Sequence, residues 1–373
     1  MPFDCRHRAR LGPAGCLTSC PAAPPVFDVV RVGAGMPAPL PEPHLIDIAL
    51  LDMHHGWPNL GHDAILHAMR NAICDISGPL AAAGIGFRAL SYDVRRGPTI
   101  PEPPGGRHVI YVGTGGPGHL DPRENDGISA GSQGIAEDPS WEPLLFGLFD
   151  QIRASPDAVL LAVCHTFGVM CRWLGAADAV LRGPDKGGKS AGIVENVLTD
   201  EALTHPWFAR FASALSGRRL RVLDNRLYDL VPRGDRLPSG VTAIGYEALH
   251  RAGPQGNALT MMEAARDGAG TMPRIFGVNH HPEIVNRARL LTVLDQMHER
   301  GEVTDDWYAE RKMTLTEPIE DEWGDRLLHM TASYTFMAPL RFHLYRQARL
   351  RGECLGRPAG IDEAVLPITW KPF

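Results

Sequence analysis

Apolar residues along this chain fall into short dense runs separated by longer periodic stretches. LIDIALLDM (Leu45 to Met53) and AVLLAVC (Ala158 to Cys164) are near-continuous apolar runs of strand length, the pattern of strands buried on both faces of a parallel sheet. FRALSYDV and HVIYVGTG (His108 to Gly115) predict two further strands between them. After the first run, Ile65, Met69, Ile73, Ile76 and Leu80 recur at three- and four-residue spacing, predicting a helix that Gly84 stops. WEPLLFGLFDQI (Trp141 to Ile152) predicts another helix, and Met170, Trp173 and Leu174 a third, directly after Cys164. Strands alternating with helices imply βαβ crossovers. The expected fold is therefore α/β, a flavodoxin-like, doubly wound, mostly parallel sheet whose ligand sites lie at the carboxyl ends of its strands.

The pattern changes along the chain. Residues 1–42, ending in PAPLPEP, hold too little periodic apolar sequence to pack and are expected to form a disordered or loosely packed tail. Residues 43–300 are expected to form the main domain. Within it, the stretch from Ala179 to Met262 is rich in short β-like runs broken by Gly and Pro, as in meander strands added to the sheet. RIFGVNHHPE (Arg274 to Glu283) is a strand leading into a loop, and Pro282 suits the first turn of a helix carrying Ile284, Ala288, Leu291 and Leu294. Residues 301–373 are expected to be a helical extension and tail. Its segment Leu328 to Arg351 is amphipathic enough to pack on the main domain or on a partner, with Pro339 kinking or ending the helix.

Composition narrows the class. With 373 residues, 44% apolar and 21% charged, the chain can bury a sizeable core. A formal charge of −6 without a basic stripe argues against nucleic acid and anionic membranes. Apolar runs too short to span a bilayer and the lack of a continuous N-terminal apolar region predict no membrane anchor and a cytoplasmic location. Seven cysteines leave at least one thiol free. Cys5, Cys16 and Cys20 lack paired metal-ligand spacing, and neither His54-His55 nor His280-His281 has helical ligand spacing. No metal and no cofactor are expected.

Three segments then carry chemistry. Cys164 ends a buried strand and precedes a helix, the place where a nucleophile is lifted out of a sheet with the next backbone N–H ready for an oxyanion. A buried core thiol is the plain alternative. In GVNHHPE, His281 and Glu283 lie two residues apart, so in an extended segment both can face one side, the carboxylate orienting an imidazole that deprotonates the thiol. In GTGGPG, glycines after a strand let backbone N–H groups approach a substrate carbonyl.

Taken in chain order, glycine loop, cysteine, His-Pro-Glu, these segments resemble the class I glutamine amidotransferases over roughly residues 45–300. The resemblance implies that Cys164 attacks the side-chain amide of glutamine, His281 shuttles the proton and Glu283 orients His281. It places the oxyanion on the N–H groups of Gly116 and His165, with Gly115 beside them, and it implies a γ-glutamyl thioester whose ammonia passes to a separate synthetase. The elbow reads AVCHTFG, so Ala162 and Thr166 replace the family's two glycines, and Gly168 stands where a substrate-holding glutamine is expected. Two other functions remain open: a Cys-dependent γ-glutamyl or related amide hydrolase with water as acceptor, and a non-catalytic binding module.

Other motifs read more plainly. GPDKGGKS (Gly183 to Ser190) has a phosphate-loop spacing, but β-like sequence follows it where a helix is required. His165 and His280 flank the centre and are expected to tune polarity or hydrogen-bond. His119 and Asp121 could line the pocket or serve as loop residues, and Gly127 to Asp138 could be a mobile cover or an idle surface loop.

Overall fold

The computed structural model describes residues 26–363 except 98, 187, 250–252 and 320–321. Its strands are β1 (Phe27–Val32), β2 (Leu45–Asp52), β3 (Gly86–Asp93), β4 (His108–Gly113), β5 (Val159–Val163), β6 (Ala177–Leu181), β7 (Ser190–Leu198), β8 (Arg219–Arg226), β9 (Tyr228–Pro232), β10 (Thr242–Ala248), β11 (Gln255–Arg266) and β12 (Pro273–Val278). Its helices are α1 (Leu60–Asp75), α2 (Ser77–Ala83), α3 (Trp141–Ala154), α4 (His165–Leu174), α5 (Asp200–Thr204), α6 (Ala209–Ala214), α7 (Arg287–Glu299), α8 (Asp305–Thr316), α9 (Glu322–Ala332) and α10 (Ala338–Cys354).

Ten strands form one sheet in the order β1-β3-β2-β4-β5-β12-β11-β10-β7-β8. Pairing is parallel from β1 to β12 and antiparallel from β12 to β8, so a doubly wound α/β half continues into a meander. The parallel half requires crossovers, and helices cover both of its faces. Ile48 and Leu50 of β2 face a core shared with Ile65 and Met69 of α1, whereas Ala49 and Leu51 face Leu145 and Phe149 of α3 and Phe167 of α4. That two-sided burial explains the near-continuous apolar runs. The C-terminal helix belongs to the same packing: Leu340, Leu344 and Ala348 of α10 join the α1 side of the core. A π-helical turn, Ser333–Met337, precedes Pro339 in the first turn of α10, where the missing N–H breaks the regular ladder.

Two sequence expectations are corrected here. Residues 1–25 lie outside the described residues, as do 364–373, but Phe27–Val32 is no loose tail: it pairs in parallel with β3, from Phe27 against Phe87 to Val32 against Tyr92. It is an edge strand whose side chains, apart from Val32, are at most half-buried. Pro282 does not open a helix. It lies in the turn that carries Glu283, and α7 starts later, at Arg287, because Asn286 accepts a hydrogen bond from the Arg289 N–H.

The position of β5 is fixed from below by a buried cation. Arg274 of β12 donates to the carbonyls of Ile152 (3.1 Å), Arg153 (3.0 Å) and Ala158 (2.9 Å), closing the end of α3 and the loop into β5. Replacing Arg274 with Met strands these carbonyls in an apolar setting. The expected loss is about 3 kcal/mol of unfolding free energy, read as a lower denaturant midpoint.

Candidate active site

Cys164 sits between β5 and α4 with φ 49° and ψ −102°, a conformation strained for any residue with a side chain. Neighbouring backbone holds it there. The Cys164 N–H donates to Val278 O (2.8 Å) at the end of β12, and the Thr166 N–H and hydroxyl both donate to Thr114 O, at 3.2 and 2.7 Å, at the end of β4. The elbow is thus tied to the strand on each side of it.

The missing elbow glycines are compensated on those same strands. A Cβ on Gly113 would lie 2.2 Å from Thr166 Cγ2, and a Cβ on Gly277 would lie 2.5 Å from Phe167 Cδ2 and 3.3 Å from Ala162 Cβ. Glycine therefore stands opposite Ala162 and Thr166 rather than in their places. Gly168 is corrected outright as a substrate contact: Leu120 packs over it, with Leu120 Cδ1 2.4 Å from where a Gly168 Cβ would be. A longer side chain there would have to move Leu120, which itself lines the cleft.

His281 reaches Cys164 from the loop after β12. Its backbone N–H bonds Leu223 O (2.8 Å) and its Nδ1 bonds Glu283 Oε1 (2.8 Å), leaving the buried Nε2 to the sulfur of Cys164. Nε2 makes no aligned hydrogen bond to any of the described residues. Gly115 makes room for both groups, since a Cβ there would stand 3.1 Å from His281 Cε1 and 3.8 Å from Cys164 Sγ. Burial pulls the His281 pKa down, but the Glu283 carboxylate and the sulfur of Cys164 outweigh it and raise the value well above the ordinary 6.5. Glu283 is buried against the first turn of α1, its Oε1 2.9 Å from the position of a Gly61 Cβ, where the positive end of the helix favours a carboxylate.

The glycine loop is clamped against the elbow. Buried Arg95 donates to Met53 O (2.8 Å) and Pro117 O (2.7 Å) and is held by Glu137 through two bonds, of 2.8 and 2.7 Å. Gln133 accepts from the Gly118 N–H (2.8 Å). The segment Gly127 to Asp138 thus braces the loop from its own residues. Gly116 must be glycine, because a Cβ would sit 2.2 Å from Met53 O. The N–H groups of Gly116 and His165 take no backbone partner among the described residues, and both residues line the cleft with Cys164.

No family model matches the chain. No curated protein matches it either. Among solved structures, SMU.1228c aligns at 16% identity over 78% of this chain and 98% of its own, with a TM-score of 0.43. A proposed GMP synthase subunit from Thermoplasma acidophilum aligns at 12% identity over 69% and 98%, with a TM-score of 0.36. A proposed ThuA-like protein from Bacteroides uniformis aligns at 8% over 75% and 93%, with a TM-score of 0.32.

The remaining histidines divide sharply. The His165 ring is hydrogen-bonded to the Gly116 backbone, and burial, then Arg95, holds its pKa well below 6.5. His280 points the other way, to the Thr335 hydroxyl (3.2 Å), and burial lowers it to about 3. His119 and Asp121 serve the loop: His119 Nδ1 accepts from the Asp121 N–H (2.9 Å), and Asp121 pairs with Arg123 and Arg172. The GPDKGGKS segment enters strand β7, not a helix, and its Lys186 pairs with Asp229 and Glu247. Sequence reading overlooked His54, which ends the β2 region and lines the cleft as a neutral, buried imidazole bonded to Asn59. Its place after a parallel strand was the available signal. Asn225, Asn279 and Arg311, also overlooked, line the cleft; Asn279 lies within GVNHHPE, two residues before His281, whereas Asn225 and Arg311 come from distant elements without a sequence motif. Among the described residues, no cluster of three or more His, Cys, Asp or Glu could hold a metal, and no helix is long and apolar enough to cross a membrane.

Two outcomes follow from this geometry. Gly113→Ala should destabilise the protein by about 1–3 kcal/mol through overpacking, and adding Thr166→Gly should recover part of that loss in a double-mutant cycle read by chemical denaturation. His281, raised above its unfolded value, contributes stability that is complete below about pH 6.5 and disappears as pH rises through the folded value. The stability gap between wild type and Glu283→Gln should therefore narrow as pH rises above 6.5 in denaturation curves taken across pH.

Proposed function

We propose that the protein is a cysteine-dependent amide hydrolase of the glutamine amidotransferase kind, releasing ammonia from a side-chain carboxamide. The observation that carries this reading is Cys164 on a strained strand-to-helix turn, with the Glu283-bound imidazole of His281 beside its sulfur. A protonated His281 supplies the counter-ion that a thiolate needs. The sulfur attacks the amide carbon, and the oxygen, now negative, is received by the N–H groups of Gly116 and His165. Collapse breaks the C–N bond as His281 passes its Nε2 proton to the departing nitrogen, giving ammonia and a thioester. Water then attacks the thioester while His281 takes its proton, and the sulfur leaves from a carboxylic acid product.

Glutamine is the first substrate to test, and a separate synthetase is the acceptor that this chemistry suits. Leu120 over Gly168 favours a second reading, in which the amide belongs to a related γ-glutamyl compound and water ends the reaction. Ammonia and glutamate release from L-glutamine and from a panel of γ-glutamyl amides separates the two. Cys164→Ala should lower turnover of the accepted substrate by about ten thousand-fold or more. Wild-type turnover in that variant would remove Cys164 from the reaction.

A further inference from the structure

The cleft above Cys164 is closed on one side by α8. Its residues Trp307, Glu310, Arg311, Thr314 and Leu315, spaced as one helical face, line the cleft together with Cys164 and His281. Leu315 anchors this wall in an apolar cluster with Leu60, Ala64, Leu290 and Leu294, and Arg287 ties the end of the helix by donating to Leu315 O (2.8 Å). A helix docked only for packing would turn an apolar stripe inward. This one turns a carboxylate, a guanidinium and a hydroxyl toward the cleft.

The charges do not cancel. Glu310 pairs with both Lys189, of the segment entering β7, and Arg311, leaving one cation in excess. Arg311 lies over the Trp307 ring, 5.1 Å from its centroid, which fixes the guanidinium in place. Its Nη1 is 2.9 Å from Glu310 Oε1 yet is a buried donor without an aligned hydrogen bond. Asn279, 4% exposed, lines the same cleft with its Nδ2 buried and unpartnered among the described residues. Unpartnered donors and an excess cation lining one cleft suit an anionic acceptor with more than one oxygen.

Resting on the hydrolase reading, we propose that Arg311 determines specificity by binding a carboxylate of the amide substrate, remote from the scissile bond, with α8 as the recognition wall. Leu120 occupies the space over Gly168, which itself carries no side chain to hold a substrate, so recognition of the substrate's far end is carried instead by a helix from beyond the sheet.

The test uses alkylating probes in the full chain. The chloroketone analogue of glutamine alkylates a thiol as sulfur forms a bond to the chlorine-bearing carbon and chloride leaves; its methyl ester does the same without the carboxylate. Labelling of Cys164 by each is followed by mass spectrometry, with neutral chloroacetone as a measure of thiol reactivity. In the wild type the acid should label faster than the ester by about ten- to a hundred-fold, the range expected for hydrogen bonds to a charged group. In Arg311→Gln that ratio should fall towards one, and Arg311→Lys should retain most of it. An unchanged ratio in Arg311→Gln, or a ratio of one in the wild type while chloroacetone still labels Cys164 rapidly, overturns the assignment of Arg311 alone. Chloroacetone labelling of Cys164 no faster than that of free cysteine removes the hydrolase reading and this inference with it.

Discussion

The structure turns on one backbone conformation. Cys164 at φ 49° and ψ −102° is a strained residue, a state that costs on the order of 1–3 kcal/mol and persists only where the surroundings enforce it. Here the enforcement is a set of bonds to both neighbouring strands: Cys164 N–H to Val278 O, and Thr166 N–H and hydroxyl to Thr114 O. Those carbonyls are in place because β4, β5 and β12 are adjacent and parallel, ending together. The same three strand ends deliver the glycine loop, the thiol and the imidazole. One constraint thus serves two purposes, since what holds the elbow also brings the thiol and the imidazole together.

Close packing then determines which residues are small. An elbow is crowded wherever a strand turns into a helix, and relief can come from the elbow or from the strands flanking it. This chain relieves it on Gly113 and Gly277, keeping Thr166, whose hydroxyl becomes one of the bonds that restrain Cys164. Leu120 over Gly168 is the same trade in another place: the loop side chain fills a volume that a helix side chain would otherwise occupy. Such exchanges conserve packing while changing the chemistry of the cleft wall.

Electrostatics follow from burial. Cys171, two turns beyond Cys164, is fully buried and burial alone pushes its thiol pKa up, so it is an inert core thiol; Cys164 is only half-buried. His54 and His165 are held neutral by the same burial that His281 escapes through Glu283. A cationic imidazole among neutral ones localises positive charge where a thiolate would form.

The sequence alone determined the parallel half of the sheet, because strands buried on both faces must be apolar at nearly every position: AVLLAVC is apolar throughout, and LIDIALLDM is broken only by Asp47, which Arg88 and Arg107 neutralise, and by Asp52 near its end. It also marked Cys164, His281 and Glu283, whose local settings, a strand end and an extended two-residue spacing, are legible over a few residues. It misjudged Phe27–Val32 because an edge strand draws its pairing from β3 rather than from its own periodicity. Only the tertiary structure decided that Arg95 clamps the glycine loop, that Leu120 packs over Gly168, and that Arg311 lines the cleft. Each of these depends on contacts between residues far apart in the chain, and such contacts are set by how helices and strands stack in three dimensions, which local pattern and propensity do not encode.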